Sequence, residues 1–206
     1  MDIGVNLIES YLRLNGYLTL SEFEVQRRAE EGSYESITDV DIVALRLPGE
    51  LYVADPDAEG CTECELLLIQ DPLLALEEDC ADVIIGEVKQ AEAEFNPAIT
   101  DHQVLHSVLR RMEWLYDEPL LDVVKALQLT GSHYSPGRGG GRVRTRLVAF
   151  GRSKVNDLNT ISHTHIVETL LRFFSDFEEA FRPIQFRDPA PAMLRLLLKS
   201  GFEVHK

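Results

Sequence analysis

Two segments restrict the fold more than any other feature of the chain. Val40-Asp41-Ile42-Val43-Ala44-Leu45 and Asp82-Val83-Ile84-Ile85-Gly86-Glu87-Val88-Lys89 are rich in β-branched residues and apolar at successive positions. A strand with one wet face alternates. Strands that are apolar at neighbouring positions are covered on both faces. The covers are found in the same sequence. Ile3, Leu7, Ile8, Tyr11, Leu12 and Leu14 recur at helical spacing over 3–15 and stop at Asn15-Gly16. Val104, Leu105, Val108, Leu109, Met112 and Leu115 form the inner stripe of a helix over about 98–116, and further helices are expected at 160–181 and 190–200. Residues 17–27 read as extended, although Thr19-Leu20-Ser21-Glu22 also fits a capping box. Another strand follows at 143–150. The order is helix, three strands, helix, strand, helices, which gives an α/β domain: a mixed central sheet flanked by helices.

Between the strands lie two segments of different character. Residues 49–80 are acidic and broken by Pro56, Gly60 and Pro72, and read as an insertion with a strand at 51–54 and a short helix near 73–79. Residues 131–141, GSHYSPGRGGG, read as a flexible Gly-rich loop. At 206 residues the chain has room for one ordinary domain with this elaboration. The start Met1-Asp2-Ile3-Gly4 has no basic, apolar leader and no run reaches membrane-span length, so a cytoplasmic protein without membrane contact is expected.

Charge is unevenly placed. Residues 1–100 carry 23 Asp/Glu against 5 Lys/Arg, and residues 101–206 carry 12 against 15. Arg138, Arg142, Arg144 and Arg146 fall in a stretch without any acid, the composition of a local phosphate-binding surface on an otherwise acidic protein. Cys61 and Cys64 make half a zinc site at most, and Cys80 stands apart. His102 and His106 at i, i+4, and His163 and His165 as HxH, have no accompanying carboxylate pattern and read as surface or half-buried histidines.

Chemistry concentrates at the end of the second apolar strand. Glu87 and Lys89 leave a strand on one face, with Val88 on the other. A carboxylate and an amine side by side after a buried run suit a divalent cation and its water better than a core. Asp41, or Asp39 on the same face, can deliver a second hard oxygen ligand from the neighbouring strand.

Glu9 on the first helix, Asp41 in TDVDIVAL and Glu87-Val88-Lys89 in DVIIGEVKQ, in this order of elements, resemble the restriction-endonuclease-like PD-(D/E)xK nuclease superfamily, in its Mrr-like and Holliday-junction-resolvase-like branch. The likeness spans residues 5–116, with the strand at 143–150 as the next core strand. The resemblance implies an αβββαβ core and metal-dependent hydrolysis of phosphodiester bonds, in DNA. It implies Mg²⁺ or Mn²⁺ on Asp41, Glu87 and the backbone carbonyl of Val88, with Lys89 orienting the attacking water. Glu9 would support a second metal or its water, with Glu22 or Glu24 as substitutes. Gln90, Arg138, Arg142, Arg144 and Arg146 would contact the nucleic acid, and a homodimer or a partner protein would supply specificity. Two departures, the 46 positions between Asp41 and Glu87 and the acidic first half, also fit a catalytically inactive interaction or regulatory module on the same fold.

Overall fold

The computed structural model describes residues 2–49, 68–182 and 185–202. Among them the chain runs α1 (Ile3–Leu14), β1 (Leu18–Arg28), β2 (Tyr34–Arg46), β3 (Cys80–Glu92), α2 (His102–Arg110), α3 (Leu120–Thr130), β4 (Ser132–Pro136), β5 (Arg142–Arg152), β6 (Thr160–Ser162), α4 (His163–Asp176), α5 (Glu178–Phe181) and α6 (Pro189–Lys199). The expected strand at 51–54 and the Cys61–Cys64 pair lie outside the described residues. The strands form one mixed sheet in the order β1-β2-β3-β5-β4, with β6 beside β5. β5 is parallel to β3 and β6 to β5, while the other neighbours are antiparallel.

Helices cover both faces, as the doubly apolar strands require. α2 and α3 pack over Val43, Val83, Ile85, Val143 and Leu147. α1, α4 and α6 pack over Ile42, Ala44, Ile84, Val148 and Phe150. Consecutive residues of β3 thus feed opposite cores, the physical content of its unbroken apolar run. Gly86 leaves room for its cross-strand neighbours on the α1/α4 face: a Cβ there would lie 2.4 Å from Ile42 Cγ2 and 2.9 Å from a Phe150 ring carbon.

Several boundaries differ from the sequence reading. The helix expected over 98–116 is α2 between two 3₁₀ turns, Pro97–Thr100 and Glu113–Leu115, because Asp101 is extended and caps the amides of Gln103 and Val104. The helix expected at 160–181 opens with three strand residues, and Ser162 then caps α4. The short helix near 73–79 is only the turn Pro72–Leu74, ended by left-handed Ala75 (φ 45°). Residues 68–79, read as part of a looped-out insertion, are a strap across the α1/α4 face, with Leu74 fully buried.

The Gly-rich segment is not a flexible loop. Gly131, at φ 73°, ends α3, a helix whose Leu120, Val123, Val124 and Leu127 form a buried stripe. Residues 132–136 are an edge strand on β5, and a tight turn follows, closed by Gly137 N–H to the Gly141 carbonyl at 3.1 Å. Among the described residues no helix is long and apolar enough to cross a membrane.

Candidate functional site

The β2–β3 ladder runs from Arg46↔Asp82 to Ile42↔Gly86 and stops there. Asp41 and Glu87 would form the next pair. A side chain takes over instead: Asp41 Oδ2 accepts the Val88 N–H at 2.6 Å. The N–H and C=O of an extended residue point to the same edge, so the Val88 carbonyl is directed toward the same opening. On β3, Lys89 donates its ammonium to the buried carboxylate of Glu87. Asp41, Glu87, Val88 and Lys89 therefore lie near one another where two central strands part.

Asp41 and Glu87 approach from different faces. Glu87 follows Val83 and Ile85 on the α2/α3 side. Asp41 lines a cleft on the α1 side with Asp2, Val5, Glu22, Glu24, Ser36, Asp39 and Val88. Strict alternation would have set Asp41 beside Val43 and apart from Ile42. The phase slips here: Val40 and Val43 share the α2/α3 core, although three positions apart, and Ile42 joins the opposite one. The partner strand slips at the same place. Ser21↔Ile42 and Phe23↔Val40 are paired, and Glu22 between them has φ 53°. The double slip keeps the register and turns both Glu22 and Asp41 into the cleft. The sequence reading took Val40, Ile42, Val43 and Leu45 as apolar on both faces of a strand buried on both sides; the structure buries them in both cores and adds the phase slip at Asp41.

The electrostatics favour an added positive charge. Burial raises the proton affinity of Asp41, opposed by the Val88 amide and by Lys89. Glu87 is raised too, first by burial and also by the nearby Asp41 charge, against its hydrogen bond from Lys89. Two carboxylates that resist ionisation, beside further acids and one ammonium, are a poor native ion pair and suitable oxygen donors for a hard cation. Among the described residues no three His, Cys, Asp or Glu side chains converge into a ready-made cage. One or two carboxylates with water and substrate oxygens is nevertheless a usual Mg²⁺ environment.

Other expected site residues fall elsewhere. Glu9 is buried on α1, where Arg13 Nη2 donates to it at 2.9 Å and Thr19 Oγ1 at 3.3 Å. Thr19 pairs with Ala44, three residues along β2 from Asp41 or roughly 10 Å at strand rise, so Glu9 anchors α1 to β1 and does not join the site. Of its proposed substitutes, Glu22 and Glu24 do line the cleft. Gln90 is exposed, faces away from Lys89, and donates to Asp2 Oδ2 at 3.3 Å.

The arginines correct the sequence reading most. The parallel β3–β5 register sets Arg142 opposite Cys80 and Arg146 opposite Ile84, which puts these arginines roughly 30 and 16 Å along the strand direction from Lys89. Arg138 is exposed in the tight turn, and Arg142 is held by Glu77 at 2.5 Å and Asp79 at 3.4 Å. Arg144 and Arg146 are buried and bind Asp82 at 2.7 and 2.8 Å. These two are structural cations, because Asp82 sits inside the apolar run of β3 and needs them. Tyr17 donates to the same carboxylate, Arg144 reaches the Leu74 and Ala75 carbonyls, and Arg146 reaches the Leu158 carbonyl. The signal in the sequence was Asp82 itself, an acid within a doubly buried strand.

A second buried carboxylate, Asp71, fastens the strap. It accepts from Tyr11 at 2.7 Å and contacts His165 Nε2 at 2.6 Å, while its own N–H donates to Asn15. His165 thus serves the strap. His102 and His106 stack in parallel on α2. Cys80 is a buried free thiol. No family model, curated protein or solved structure matches the chain.

Proposed function

We propose that the chain is a metal-dependent phosphodiester hydrolase of the restriction-endonuclease-like kind, acting on DNA. The observation that carries this reading is the meeting of Asp41, Glu87 and Lys89 at the break in the β2–β3 ladder, with both carboxylates raised in proton affinity by burial. Asp41, Glu87 and the Val88 carbonyl would hold Mg²⁺ or Mn²⁺, which supplies phosphate polarisation and a more acidic water when bound. Lys89, released from Glu87, would hydrogen-bond the attacking water and offset charge on the phosphoryl oxygens.

The test is cleavage of supercoiled plasmid and of single-stranded DNA at low salt with Mn²⁺, Mg²⁺ or EDTA, beside Lys89→Ala. Metal-dependent cutting lost in that variant, with unchanged folding, is the expected result. Cutting that persists in Lys89→Ala overturns the role of the lysine.

One observation favours a second reading. No lysine or arginine is among the described residues lining the cleft, while five carboxylates are, and such a wall repels a polyanion at low salt. A non-catalytic module on the same fold accommodates that wall. Absence of cutting with either metal and absence of measurable Mn²⁺ binding would select it.

A further inference from the structure

We infer that Glu22 is the positioning residue for Asp41, acting through its backbone rather than its carboxylate. The inference rests on the hydrolase reading only for its consequence at a metal; the geometry stands independently.

Glu22 lies at the one place in the β1–β2 ladder where neighbouring pairs are kept and the middle pair is missing: Ser21↔Ile42 and Phe23↔Val40 flank it, and Asp41 is its counterpart. Its φ of 53° is left-handed, and only Ala75 shares that property among the described residues other than glycine. A left-handed residue inside a strand reverses the face of the side chains beyond it. That reversal is visible on β1. Leu18 and Leu20 border the apolar groove on the α2 side with Phe23, three positions on from Leu20, whereas Glu22 and Glu24 line the acidic cleft. On β2 the same slip separates Val40 from Ile42.

The consequence falls on Asp41. Had β1 stayed regular, Glu22 and Asp41 would have been a cross-strand pair of like charges directed under α2. With β1 turned over at Glu22, Asp41 is directed to the α1 side and reaches the Val88 N–H, the group that ends the β2–β3 ladder. The left-handed kink in an edge strand thus sets the direction of a carboxylate on the next strand and the state of an amide on the one after it.

The experiment compares Glu22→Gly, Glu22→Ala and Glu22→Val in the full chain without added metal, reading amide exchange at Val88 against Val83 and Ile85 of the same strand. Glycine accepts the left-handed conformation freely. Alanine keeps the backbone restraint of glutamate and removes only the carboxylate. Valine, β-branched, opposes the conformation. Val88 should remain protected in the glycine and alanine variants and exchange at least about tenfold faster in the valine variant, with Val83 and Ile85 unchanged. Manganese affinity measured on the same samples should be lower in the valine variant than in the alanine variant, since both lack the Glu22 carboxylate and differ in the backbone they allow.

Equal Val88 protection in the valine variant overturns the inference, as does loss of protection in the alanine variant, which would give the role to the carboxylate. Should the valine variant fail to fold, loss of Val88 protection in the glycine variant also overturns it. Failure of the parent to bind manganese would count against the hydrolase reading and leave the amide result to decide the role of Glu22.

Discussion

Removing the carboxylate of Asp82 should be among the most damaging single changes in this chain. Asp82 is 2% exposed and receives Tyr17, Arg144 Nε at 2.7 Å and Arg146 Nη2 at 2.8 Å. Arg146 is 0% exposed, and its remaining bonds go to the Leu158 carbonyl at 2.8 Å and the Tyr17 hydroxyl at 3.2 Å, both neutral. Asp82→Ala leaves two cations without a counter-charge, one of them sealed from water. Breaking a buried pair from one side costs about 3–5 kcal/mol. Against a typical total of about 5–15 kcal/mol, that is a large share of the stability. At about 2–4 °C per kcal/mol for a chain of this size, the melting temperature should drop by roughly 6–20 °C. Urea unfolding of the parent, Asp82→Ala and the triple variant Asp82→Leu/Arg144→Met/Arg146→Met measures it. The triple variant should recover part of the loss, because an apolar replacement of the whole group leaves no orphaned charge. A loss below about 1 kcal/mol for Asp82→Ala would refute this account of the β5 arginines and reopen a ligand-binding role for them.

Gly86→Ala should cost about 1–3 kcal/mol, since the added methyl meets Ile42 and Phe150 inside the core under α1 and α4; differential scanning calorimetry reads the loss. Asp41→Asn should raise the melting temperature at pH 7, because Asn still accepts the Val88 N–H while the desolvated charge is gone. The sign follows from the raised proton affinity of Asp41. Its ionised form opposes folding above its folded-state pKa, so the gain over the parent should shrink as pH falls toward the ordinary carboxylate value. Asp71 and Asp82 behave oppositely. Burial alone would raise both, but His165 and Tyr11 for Asp71, and the two arginines for Asp82, outweigh it and hold them below the usual range. Their stabilisation is complete above the unfolded carboxylate pKa of about 4 and is lost as pH falls through the folded values, so acid unfolding should begin below about pH 4. A melting curve series from pH 7 to 2, with Asp71→Asn flattening the acid limb, is the check.

Local pattern alone determined much of this protein. The helical stripe of 3–15, the doubly apolar strands around Val43 and Ile84, and the placement of Glu87 with Lys89 on one strand face all follow from side-chain periodicity, which a residue carries into any tertiary setting. The sequence reading expected no helix between 116 and 131, although the stripe Leu120, Val123, Val124, Leu127 that buries α3 is present there. Tertiary structure decided which charges are exposed. Arg144 and Arg146 alternate along β5 as a ligand-binding strand would, and only the insertion of β5 between β3 and β4, in register with Asp82, makes them interior cations. The direction of Asp41 was likewise settled outside its own strand. A left-handed residue on β1 shifts the phase of β2, and alternation counted along β2 alone contains no trace of it. Periodicity reports which face a residue prefers; the pairing partner decides where that face points.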